Sequence, residues 1–218
     1  MNFFLTAALS ACIIIPAIIG LARFGKINKA YYPFIYCVWT GTINETLSII
    51  IVSQHYSNSI NGNIYLLLES FLLAWQFKRW NLFGSRNTWF IITLCSLLIV
   101  WCIENFIISE ITLFNSYFRI FYCSLITFMS ISVINRLIVT ERKRLIKNPT
   151  FILCATFVMY YTLNVLSEIF WVYGNTQNKN FRLSIYDISV VTNFITIILY
   201  SLAILWMPIK QRFTLPSL

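Results

Sequence analysis

Charge is scarce in this sequence. Only 11% of its 218 residues are charged, against about 25% in ordinary soluble domains. Histidine occurs once, as His55. Intramembrane zinc hydrolases need several histidine ligands, so they are excluded. A serine–histidine dyad would need its base beside a serine of the bundle. His55 instead falls in a short loop, the place of a surface or pH-responsive rim group. Glycine forms no phosphate-cradling loop. The cysteines, Cys12, Cys37, Cys95, Cys102, Cys123 and Cys154, form no CxxC and lie in or at the ends of apolar runs. They read as small buried hydrophobes, with no disulfide or metal site implied. A retinal protein would need a lysine within the last apolar segment, and Lys210 lies beyond it. No enzyme and no cofactor are expected.

What the sequence has is apolar length: 59% of residues are hydrophobic and the mean hydropathy is +0.75. A soluble domain cannot hide that surface. The expectation is an all-α polytopic protein of the cell inner (plasma) membrane, a single domain over 1–218. A spanning helix needs about 20 mostly apolar residues. Seven segments qualify or nearly do, at 3–22, 31–53, 63–77, 88–104, 111–135, 150–172 and 184–207. The third and fourth are short enough to extend into their flanks. Gly25, Asn61-Gly62-Asn63, Gly84-Ser85, Asn148-Pro149 and Gly174-Asn175 punctuate the breaks. Pro16 predicts a kink in the first segment. Leu9-Ser10-Ala11-Cys12 fits a lipoprotein cleavage box, but no Lys or Arg precedes it and the apolar run continues to Leu21. The first segment is therefore read as uncleaved.

The net charge of +9 implies anionic lipid and retained cytoplasmic loops rather than nucleic acid. Arg23, Lys26, Lys29, Lys78, Arg79, Arg86, Arg136, Arg142, Lys143, Arg144, Lys147, Lys210 and Arg212 all fall in the odd connections or the C-terminal tail. The even connections carry Lys179 and Arg182, and the N-terminus carries none. The rule that basic loops stay inside places the N-terminus outside and the C-terminus in the cytoplasm. The run Arg142–Lys147 then anchors topology on anionic lipid, or docks a cytoplasmic protein partner.

Carboxylates inside such segments are expensive, which makes Glu45 and Glu69 informative. At about 1.5 Å per residue, Glu45, Glu69, Arg119 and Asn164 fall about 9–12 Å below the outer surface, with Asn193 a little deeper. Glu104, Glu110, Glu168 and Asp187 lie nearer the mouth, with His55 in the outer loop. Helical spacing groups Tyr65, Glu69 and Gln76 on one face, Asn115, Arg119 and Tyr122 on a second, and Tyr161, Asn164 and Glu168 on a third. Such stripes face a bundle interior or a water-filled cavity. The expected ligand-binding or proton-coupling set is Glu45, Glu69, Arg119, Tyr122, Asn164, Glu168 and Asn193, rimmed by His55, Glu104 and Asp187. Arg119 is expected beside Glu45. One arginine cannot neutralise two carboxyls, so the other, taken as Glu69, holds a proton or pairs with a cation or ligand amine. Gln76, Thr196 and Tyr200 offer a thin polar path inward.

Pro33 followed by Asn44-Glu45 and Ser48 is echoed by Pro149 followed by Asn164 and Ser167-Glu168, and Ile64-Tyr65 by Ile185-Tyr186. The echo suggests two three-helix units joined by a fourth helix. That order resembles the small sugar and vitamin transporters built on triple-helix bundles. The resemblance is one of helix number and topology, and their proline–glutamine pair is absent, so no residue role carries over. Three functions fit: a transporter of a small polar or cationic solute, with proton coupling as an option, a ligand-sensing receptor acting through a separate cytoplasmic partner, or a pore-forming or membrane-perturbing effector controlled by a partner.

Overall fold

The computed structural model describes residues 3–84, 87–140, 145–173 and 179–209. The basic segment Arg142–Arg144 and the connection 174–178 lie outside the described residues, as do Arg86, Lys210 and Arg212. The described chain is an all-α membrane bundle. Its elements are α1 (Phe3–Ala11), α2 (Ile14–Arg23), α3 (Tyr32–Ser53), α4 (Ser59–Arg79), α5 (Thr88–Ile103), α6 (Ser116–Thr140), α7 (Pro149–Tyr173) and α8 (Lys179–Trp206). α1 and α2 are halves of one segment, so the described residues form seven long helical segments.

Pro16 accounts for the interruption. It has no N–H to give the Cys12 carbonyl, which accepts from Ile15 at 2.9 Å instead. The turn tightens and the helix breaks at Cys12-Ile13, a sharper outcome than the expected kink.

Six of the seven segments are apolar enough to cross a membrane. The seventh is α4, which is 21 residues long and so spans about 31 Å. Its buried Ser59, Asn63, Glu69, Ser70 and Gln76 lower its hydropathy. It tolerates them because α3, α5 and α6 pack against it. Sequence punctuation at Asn61-Gly62-Asn63 misplaced its start. Those residues form its first turns, because each asparagine has a tertiary or capping partner. Asn61 Nδ2 reaches Asn44 Oδ1 at 2.9 Å, and Asn63 Nδ2 donates to the carbonyls of Ile111 and Leu113 at 3.0 and 2.6 Å.

The bundle closes as a ring: α2 packs on α3, α3 on α4, α4 on α6, α6 on α7, α7 on α8, and α8 back on α2. α5 sits outside this ring, against α4 and the start of α6. It thus touches the last helix of the first trio and the first of the second.

The end carrying the basic connections, cytoplasmic by the charge rule, is tied together by side chains. Arg23 donates to the carbonyls of Ile204, Leu205 and Met207 at the end of α8. Arg136 donates to those of Trp80 and Asn81 after α4. Each cation thereby satisfies orphan carbonyls where the helix dipole is negative. Gln76 locks α3: Oε1 accepts from the Phe34 N–H at 2.9 Å and Nε2 donates to the Ala30 carbonyl at 2.8 Å. Phe34, Phe77, Phe157 and Tyr200 fill the same half, with Phe34 and Tyr200 edge-on at 5.0 Å and Phe77 and Phe157 edge-on at 6.2 Å. The expected inward path is therefore closed. Gln76 is spent on backbone, Tyr200 is packed, and the buried Thr196 hydroxyl has no hydrogen-bond partner among the described residues.

Candidate functional site

The outer half is different. There α3, α4, α6 and α7 enclose a cavity of about 350 Å³ whose wall includes Glu45, Glu69, Arg119, Tyr122 and Asn164. Five of the seven residues expected to form one site thus share one cavity. Glu168 stands behind Arg119, and Asn193, half-buried on α8, is not among the lining residues. Tyr65, Tyr160, Asn44, Ser48 and Asn58 also line it. Asn44 and Ser48 lie on one helical face and carried a sequence signal, through their spacing around Glu45. Asn58 had none, since it precedes α4 and is oriented by its bond to Ser48 Oγ at 2.8 Å.

The ion pairing differs from expectation. Arg119 Nη1 lies 2.6 Å from Glu168 Oε1, not beside Glu45. Both partners project from α6 and α7, which are adjacent along their lengths, whereas Glu45 stands across the cavity on α3. Two hydroxyls supply Glu69 instead. Tyr122 donates to Oε2 at 2.8 Å and Tyr161 to Oε1 at 3.0 Å, and all three residues are at least nine-tenths buried. An ionised carboxylate accepts on both oxygens, so one hydroxyl at each suits that form. Arg119 thus pairs with neither of the two deep acids, and Glu69 is hydrogen-bonded to hydroxyls instead. Among the described residues neither Glu45 nor Glu69 has an ion-pair partner.

Of the three residues expected at the rim, Glu104 and His55 shape helix ends and Asp187 stays off the cavity wall. Glu104 is 3% exposed and caps α6: Oε1 accepts from the Tyr117 N–H at 3.0 Å and Oε2 from the Phe118 N–H. It begins the π-helical turn Glu104–Ile108 that ends the α5 segment. The carboxylate satisfies orphan donors at the positive end of α6. His55 is exposed at φ 64°. Its N–H bonds to the Val52 carbonyl and that of Tyr56 to Ile51, the double bond that closes a helix, so His55 terminates α3. Asp187 is half-buried on α8 and does not line the cavity.

The site has no histidine and no activated nucleophile on its wall. Among the described residues no group of three His, Cys, Asp or Glu lies close enough to hold a metal ion. What the described wall offers is two carboxyl groups, one arginine already paired, the Cys123 thiol, and amide and hydroxyl groups. That set can hold a positive charge and hydrogen-bond the atoms around it. No protein family matches the chain, and no similar curated protein or solved structure was found.

Proposed function

We propose that the cavity is the outward-open site of a transporter for a small polar cation. One observation carries this reading: Glu45 and Glu69 share a wall with Arg119, and Arg119 is committed to Glu168. The cavity therefore has surplus negative charge, and a bound amine would balance it. The break at Cys12-Ile13 supports transport, because discontinuous helices recur beside the substrate sites of secondary transporters. In such a cycle the aromatic residues around Gln76 form the closed inner gate. The double bond of Gln76 to Ala30 and Phe34 favours a second reading, a receptor that keeps its inner half sealed and signals through a cytoplasmic partner.

The test is methylamine binding and uptake, with the protein reconstituted in liposomes at external pH 5.5 to 8. A cation site of ionised carboxyls weakens as protons compete, so binding falls as external pH falls. Glu45→Gln should bind more weakly than wild type at every pH. Uptake with binding supports the transporter, and binding without uptake supports the receptor. No binding by the wild type refutes both.

A further inference from the structure

Glu45 borders two spaces. Besides the polar cavity it lines a second cleft of about 240 Å³, between the break in the first helix and α3. The walls of this cleft are apolar. Ile13 and Ile14 form one side, and Ile49 and Ile50 the other. Thr42 and Thr46 complete it, but their hydroxyls donate to the Val38 and Thr42 carbonyls at 2.9 Å each, which leaves their methyl groups for the cleft. Among the described residues, Glu45 is the one charged group on this lining and the one residue common to both spaces.

The cleft has a structural origin. Pro16 breaks the helix, and the break seats Ile13 against α3 at Gly41, where an added Cβ would lie 3.1 Å from Ile13 Cδ1 and 3.1 Å from the Tyr65 hydroxyl. Gly41 lies one turn before Glu45 on the same face. The broken helix, Gly41 and Glu45 thus form one arrangement, and the cleft opens beside it at the depth of the bilayer.

We infer that the cation this protein takes is amphipathic: a primary amine carrying a single unbranched alkyl chain, with the ammonium at Glu45 facing the polar cavity and the chain in the cleft between the broken first helix and α3. This rests on the reading of the cavity as a cation site and replaces a purely polar cation with an amphipathic one. A purely polar cation would leave an apolar cleft beside its counter-charge unfilled. A neutral lipid chain would fill the cleft and leave the carboxylate without a cation. An alkylamine satisfies both, and its chain allows entry from the bilayer side.

The experiment is calorimetric binding of methylamine, butylamine and octylamine to the full chain in phosphatidylcholine nanodiscs, with empty discs as the blank. Burial of the chain predicts affinity rising by up to about fourfold per methylene. Ile49→Trp, which fills the cleft from α3, should flatten the series. Its methylamine affinity reports whether the variant is folded, because methylamine does not reach the cleft. Ala11→Phe, which fills the cleft from the other wall, should flatten the series as well and serves where Ile49→Trp does not fold. A flat series in the wild type, or an unchanged slope in the filled variants, overturns the inference while leaving the cavity as a cation site. Failure of all three amines to bind the wild type overturns the cavity reading and this inference with it.

Discussion

Replacing Tyr122 with phenylalanine removes one hydroxyl from the shell of Glu69 and little else. The ring of Tyr122 stays packed, stacked with Phe118 at 5.8 Å and edge-on to Tyr161 at 5.5 Å. The lost bond is 2.8 Å long, and Tyr122 is only 2% exposed. A hydrogen bond to a charged group contributes about 1.5–3 kcal/mol. Bonds between membrane helices average about 0.6 kcal/mol. The gap between these figures makes the substitution a measurement of the charge on Glu69. Tyr122→Phe should cost about 1.5–3 kcal/mol in the wild type, and no more than about 1 kcal/mol beside Glu69→Gln, where the acceptor is neutral. Reversible unfolding in mixed micelles, run as a double-mutant cycle, reads both numbers. Tyr161→Phe, whose bond is 3.0 Å, should repeat the pattern. A cost below about 0.6 kcal/mol for both tyrosines in the wild type would refute the assignment of Glu69 as an ionised, hydroxyl-solvated carboxylate.

Glu104→Ala should destabilise the protein by about 1–2 kcal/mol through loss of the α6 cap, and amide exchange at Tyr117 and Phe118 should rise before exchange elsewhere in α6. Gln76→Leu keeps the volume but orphans the Phe34 N–H and the Ala30 carbonyl, for a loss of about 1–3 kcal/mol in the same unfolding assay; an unchanged stability would remove Gln76 as the lock on α3. Topology is checked in whole cells of a variant cleared of native cysteines. An impermeant thiol reagent should label His55→Cys from outside and spare Asn81→Cys, both sites being exposed, and the opposite pattern would invert the orientation.

The membrane class and the number of helical segments were legible because both depend on composition and length: a bilayer demands about 20 apolar residues per helix whatever the partners are. The layer of Glu45, Glu69, Arg119 and Asn164 was legible for a similar reason. Rise per residue converts sequence position into depth, and helical period converts spacing into a face. The Pro16 break also follows locally, from a missing N–H.

Partner choice is different, because it depends on which helices become neighbours. Arg119 had several acids at reach in depth, and the packing of α6 on α7 gave it Glu168. Glu69 had no marked partner in its own segment, and two tyrosines from other helices supply it. Glu104 looked like a rim acid because its depth is that of the mouth. Only the return of the chain over it, with the N–H groups of Tyr117 and Phe118, makes it a cap. Position along one helix sets depth and face, but the identity of the group opposite is a property of two or more helices at once. The sequence by itself determined the solvent, the helical segments and the polar layer; the tertiary packing decided which charges are paired, which lack an ion-pair partner among the described residues, and where the apolar cleft meets Glu45.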